Sequence, residues 1–195
     1  MKGLYIALGI LLVMLLWGGC SYNSMNRGRI NINAKWGTVQ SSYQRRADLI
    51  PNLVSTVKGA ADFEKSTYVQ VAMARAGALK TLTQGSADQL TPQKMAEIQR
   101  TSNEAQSAAK MAINVAFEQY PQLKANQNFM QLQDELVGTE NRINVARNYF
   151  NEAVQGYNVS VTSFPGNILA KMFGFTEQPM FQSDPGAQNA PKVQF

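Results

Sequence analysis

The chain has 195 residues, 45% of them hydrophobic, enough for one domain with appendages and a real core. Charged residues make up only 16%, and the formal charge of +5 comes from Lys and Arg scattered along the chain rather than gathered on one face with aromatics, so nucleic-acid binding is not expected. There is no His and a single Cys, Cys20, which excludes a His/Cys metal cluster, an intrachain disulfide and most His-based triads; no metal, cofactor or small-molecule substrate is expected.

From Gly3 to Gly19 the sequence carries no charge and follows Lys2. About 17 residues is the lower limit for crossing a bilayer core and long for the apolar part of a signal peptide. Residues 1–21 therefore read either as a retained anchor, with Trp17 and Tyr22 at the interface, or as a lipoprotein signal in which Cys20 after Gly18-Gly19 becomes the acylated N-terminus. Charge counting, with Arg27, Arg29 and Lys35 after the helix, tilts the remainder toward the cytoplasm, whereas a signal-like start argues for export; the two leave orientation open.

From Tyr22 to Ala47 the pattern is helical, with Ile30, Trp36, Val39 and Tyr43 as buried candidates. Asp48 then precedes Pro51 at a spacing that predicts an N-cap and a new helix, with a stripe of Ile50, Leu53, Val57, Ala60, Glu64, Thr67, Val71, Ala74 and Ala78 reaching about Leu82. A rival reversal lies at Lys58 to Asp62, around Gly59. Residues 83–90 read as a loop, and Thr91-Pro92 as the start of a third helix to about Gln119, with Met95, Ile98, Ser102, Ala105, Ala109, Ala112 and Ala116 on one side.

The longest unbroken helical period runs from Asn126 to Phe164, through Phe129, Leu132, Leu136, Thr139, Ile143, Ala146, Phe150, Ala153 and Tyr157. Such a stripe needs partner helices. The expected fold is all-α, an N-terminal membrane helix followed by an elongated up-and-down antiparallel four-helix bundle over residues 22–175. In that topology the fourth helix returns to the anchor. Phe164, Ile168, Leu169, Met172, Phe173 and Phe175 then either meet the bilayer surface, with Arg27, Arg29 and Lys35 near anionic lipid, or cap the open end of the bundle. Residues 176–195, rich in Pro and Gln, are expected to be a disordered tail. Asn126, Asn128, Asn141, Asn151 and Asn158 outnumber the helix caps available, and hydrogen bonds across helices are an alternative use for some of them.

Several phrases carry a family resemblance: YQRRADLIPNLVSTVKG (Tyr43 to Gly59), YPQLKANQNFMQLQDEL (Tyr120 to Leu136), TENRINVARNYFNEAV (Thr139 to Val154), Tyr157-Asn158 and FPGNILAKMFGF (Phe164 to Phe175). Five separated motifs in this order make the chain resemble the LemA family of bacterial membrane proteins. The resemblance implies an N-terminal membrane helix, a four-helix bundle and a non-enzymatic role, with members linked to magnetosome formation or to envelope proteostasis. Where the family has an aromatic and a His in a Gly-Tyr-Ala-x-His-Glu segment, this chain has Ala60 and Phe63 and keeps Glu64, so no role of that His transfers.

Within these phrases Arg45, Arg46, Glu64, Glu135, Glu140, Asn141, Arg142 and Arg147 are the polar residues of interest. Inter-helix ion pairs that fix register are the expected role, and partner or subunit binding is the alternative. Membrane lipid and further copies of the chain are the expected partners of a self-assembling scaffold. An adaptor for a membrane protease or envelope-stress partner is the second reading.

Overall fold

The computed structural model describes residues 2–60, 86–119, 121 and 127–182, and the statements below concern these. They form helices α1 (Lys2–Ala60), α2 (Pro92–Gln119), α3 (Gln127–Thr162) and α4 (Gly166–Phe173), with a 3₁₀ turn at Ala87–Gln89 and no strand among them. The fold is all-α, as expected.

Helix α1 is 59 residues long and unbroken. Its apolar start, Leu4 to Leu16, is exposed throughout and makes α1 the one described helix long and apolar enough to cross a membrane. The backbone ladder then passes through Cys20 and Tyr22 into the bundle, so no hinge separates the apolar part from the packed part.

The predicted reversal at Asp48 does not occur, because Asp48 and Pro51 both lie inside α1. The Asp48 carboxylate accepts a hydrogen bond from Gln44 Nε2 at 3.0 Å, one turn back. Continuing the helix keeps Ala47 and Ile50 on the face already used by Tyr43, and all three are buried, as is Leu49. Burying Leu49 and Ile50 is worth about 1.5–3 kcal/mol each, which together offsets the roughly 3 kcal/mol penalty of an internal Pro. Gly59 is also helical, while Glu64 and the rest of the predicted second-helix stripe fall outside the described residues.

Helices α1 and α3 run antiparallel along one seam. Gly28 meets Tyr157, Trp36 meets Phe150 with ring centroids 5.7 Å apart, and Arg46 reaches Glu140. Helix α2 runs parallel to α1, since Asp88 just before it pairs with Arg29 and Ser102 within it pairs with Arg46. The buried residues of α3 are Phe129, Thr139, Ile143, Ala146, Phe150, Val154, Tyr157 and Val161, close to the predicted stripe. On α1 they include Met25, Ile32, Trp36, Val39 and Tyr43, but Ile30 is 61% exposed. Ile32 is one turn before Trp36, whereas Ile30, six residues before it, is rotated about 240° away.

Pro92 opens α2 as predicted, and Thr91 Oγ1 accepts the Lys94 N–H at 3.2 Å. At the other end of the bundle, the turn from α3 to α4 needs Gly166, because a Cβ there would lie 2.5 Å from the Ser160 carbonyl oxygen and 3.2 Å from Met25 Cε. Gly37, by contrast, faces open space in mid-helix. Thermal unfolding should separate the two: Gly166→Ala is expected to cost about 1–3 kcal/mol by overpacking, and Gly37→Ala to add about 0.5–1 kcal/mol by helix propensity.

Candidate functional site

The end of the bundle beside the apolar part of α1 gathers most of the unusual surface. Tyr22 lies only about 5 Å along the helix past Gly19, and its ring packs edge-on against Phe173 and Phe175, with centroids 5.1 and 5.5 Å away. Ala170 is buried, and Leu169 and Phe175 pack against the core. The other predicted residues point outward: Phe164 is 81% exposed, Met172 72%, Phe173 55% and Ile168 53%. The two roles set against each other by the sequence are thus divided between faces. One row closes the bundle, and the other presents apolar side chains to the surroundings beside α1, which single scattered exposures would not do. Gly174 ends α4 in the left-handed conformation at φ 74°, and the Phe175 N–H donates to the Ala170 carbonyl.

The basic residues expected at this end are not equivalent. Arg27 is exposed. Arg29 instead forms a two-pronged pair with Asp88, at 2.8 and 2.9 Å. The Arg29 hydrogen bond holds the Asp88 carboxyl below its usual range, and the same hydrogen bond raises the Arg29 guanidinium. Lys35 lies over the Tyr149 ring at 5.3 Å, about 24 Å along α1 from Gly19, too far for a role at a surface beside the apolar segment.

The polar motif residues tie helices together. Arg46 is buried at 4% exposure, donates to Glu140 Oε2 at 2.9 Å and to the Ser102 carbonyl and hydroxyl at 3.0 and 2.5 Å, and so joins α1, α2 and α3. Arg45 pairs with Glu135 at 2.5 Å on the exposed side of the same α1–α3 seam. Arg147 donates to the Tyr43 hydroxyl from Nε at 2.8 Å and stacks on the Tyr43 and Phe181 rings. Asn141 and Arg142 are exposed and make no such contact among the described residues. A crevice of about 320 Å³ between α2 and α3 includes Arg46 and Glu140 in its wall, but these are already engaged with each other.

A second feature lies where a disordered tail was expected. Residues 175–182 form a strap along α1 and α3. Asn158 accepts the Gln178 N–H and donates to the Gln178 carbonyl, both at 2.9 Å. Asn151 does the same with Phe181, at 2.9 and 3.0 Å. Seven residues of helix rise about 10.5 Å and three extended residues about 10 Å, so the two amides match the strap's repeat. Phe181 is buried against Trp36, Phe150 and Arg147, and Gln99 donates to the Gln182 carbonyl. These contacts outweigh the segment's polar composition. Residues from 183 lie outside the described part. The surplus of Asn on the predicted fourth helix was the available signal, and the seven-residue spacing was its key.

A family model described as the LemA family matches residues 35–195, which includes Arg46 with its partners Ser102 and Glu140, α4 and the strap. The chain belongs to the LemA family. Protein LemA of Metamycoplasma hominis is 22% identical over 161 residues, 83% of this chain and 68% of that protein. Magnetosome protein MamQ 2 of Paramagnetospirillum magneticum is 35% identical over 68 residues, and magnetosome protein MamQ of Magnetospirillum gryphiswaldense 34%. This chain spans 25% of the length of those magnetosome relatives. The LemA match starts at Lys35 and so does not include the apolar segment.

Two measurements follow from the ion pairs. Arg46→Ala leaves Glu140 unpaired and should cost about 3 kcal/mol or more, whereas Arg45→Ala, at an exposed pair, should cost no more than about 1 kcal/mol; chemical denaturation compares them. The depressed Asp88 carboxyl stabilises the fold above its ordinary titration range, and this contribution is lost as pH falls through the lowered value. Asp88→Asn is therefore expected to lose less than about 1 kcal/mol at neutral pH, with the difference from the parent chain closing as the pH drops below about 4.

Proposed function

We propose that the chain is a membrane-anchored, non-enzymatic scaffold that self-assembles and organises or shapes the bacterial inner membrane, crossing it once through the apolar part of α1. The observation that carries the reading is the placement of the exposed row Phe164, Ile168, Met172 and Phe173 beside an exposed apolar helix. Shallow insertion of these four side chains would contribute on the order of 3–6 kcal/mol, at about 1.5–3 kcal/mol for each fully buried one and roughly half that at the interface. Arg27 and Lys171, both exposed, supply positive charge toward anionic headgroups.

Self-assembly is supported by apolar side chains left on the outer face of α3, where Val145 is 50% and Tyr149 52% exposed one turn apart. Two of the relatives are named for a cellular structure, the magnetosome, rather than for a reaction. The polar motif residues support the same reading, since Arg46, Glu140, Arg45 and Glu135 are used in joining helices.

Full-length chain carrying Cys20→Ser and a single fluorophore, placed through Met172→Cys or Val145→Cys, tests the membrane contact in lipid vesicles. Spin-labelled lipid is expected to quench the probe at 172 several-fold more than the probe at 145, and equal quenching would reject the contact. Light scattering of the detergent-solubilised chain tests assembly, and a strict monomer at high concentration would remove that part of the proposal.

A further inference from the structure

The strap is bound as a ligand is bound. Two side-chain amides on α3 read backbone N–H and C=O groups three residues apart, and the one side chain buried among the core residues is that of Phe181. Nothing in this recognition requires the strap to come from the same chain. We propose that the groove formed by Asn151, Asn158, Trp36, Phe150 and Arg147 also takes the 176–182 segment of a second copy, so that neighbouring bundles are linked by exchanged straps. This rests on the self-assembly reading above and gives it a contact.

The occupant follows from complementarity already present in the fold, because an identical segment arriving from a neighbour would make the same four amide hydrogen bonds and fill the same aromatic pocket. Exchange of identical elements keeps the contacts and changes only the connection. The connection is suitable. Phe175 stays with α4, its N–H on the Ala170 carbonyl and its ring on Tyr22, so the segment free to take another direction begins after it. From Phe175 to Phe181 the chain can extend about 20 Å, whereas facing helices of two touching bundles lie about 10 Å apart.

Register favours the exchange as well. With α1 unbroken from its apolar segment into the bundle, copies anchored in one bilayer stand at a common height. A strap leaving α4 of one copy then meets Asn158 and next Asn151 of its neighbour in the order it meets its own. Confinement to the same membrane raises the effective concentration of straps around each groove.

Complementation between two full-length variants tests the proposal. Phe181→Ala removes the strap's anchor and leaves the groove intact; Asn151→Ala with Asn158→Ala removes the clamps and leaves the strap intact. Gln178→Pro is a second strap variant that deletes an N–H donor without touching the core, should Phe181→Ala fail to fold by circular dichroism. Differently tagged copies are co-expressed, extracted in detergent and recovered through one tag.

The parent chain is expected to recover its partner copy, with recovery at least ten-fold lower for either variant paired with itself and restored when a strap variant is paired with the groove variant. Loss in both variants without restoration would overturn strap exchange. Undiminished self-association of both variants would overturn strap exchange while leaving the scaffold reading intact. A parent chain that recovers no partner copy would overturn both.

Discussion

The structure depends on the continuity of helix α1. Because one helix runs from the apolar segment past Asp48 and through Pro51, whose missing N–H removes a single bond of the ladder, the apolar part and the packed part are one rod, and each element laid against that rod acquires a fixed distance from its apolar end. Helix α3 uses the rod as a ruler. Its contacts with α1 descend from Glu140 beside Arg46 to Tyr157 beside Gly28, and they deliver Gly166 to Met25 and Phe173 to Tyr22. The exposed apolar row of α4 is thus placed by packing many residues away from it.

Along this rod the contacts differ in kind. Near the apolar end the seam is made of rings and small residues, with Gly28 under Tyr157 and Trp36 against Phe150. Farther along, Arg46 holds three helices through one guanidinium whose planar fork serves a carboxylate on one side and a carbonyl and a hydroxyl on the other. A buried ion of this kind adds little net stability over an apolar substitute, but displacing either neighbouring helix would leave it unpaired. It therefore acts against register slips, to which smooth stripes of Ala on α2 offer little resistance.

Much of this was legible in the sequence. The three-four spacing of α3 named most of its buried face, Thr91-Pro92 marked the start of α2, and Arg46 and Glu140 stood out as polar residues within helical phrases. Other features were not legible, for physical reasons that differ from case to case. Asp48 and Pro51 carry local start signals, and only the burial of Leu49 and Ile50 overrides them. Ile30 is as apolar as Ile32, and it is Trp36 that decides which of them faces the core. Lys35 and Arg29 look like surface cations, yet each has a partner on another element, Tyr149 and Asp88. The strap escaped notice because its order comes from elsewhere. Composition reports what a segment can bury by itself, and residues 176–182 bury one Phe; the pairing capacity sits on α3, in Asn151 and Asn158.

Why Asn serves there follows from the groups to be satisfied. A strap residue offers one donor and one acceptor close together, and the Asn amide presents the complementary acceptor and donor on a short, stiff side chain. Asp could accept but not donate, and Gln would lose more rotamer freedom in reaching the same place. The amides cover the backbone demand at Gln178 and Phe181, leaving Phe181 as the main apolar contribution. A segment held this way is secure but separable, since its contacts are few beside those of the helices and it can open locally while the α1–α3 seam stays closed. The same economy that lets residues 176–182 complete the core without forming a helix also leaves them able to open from it alone.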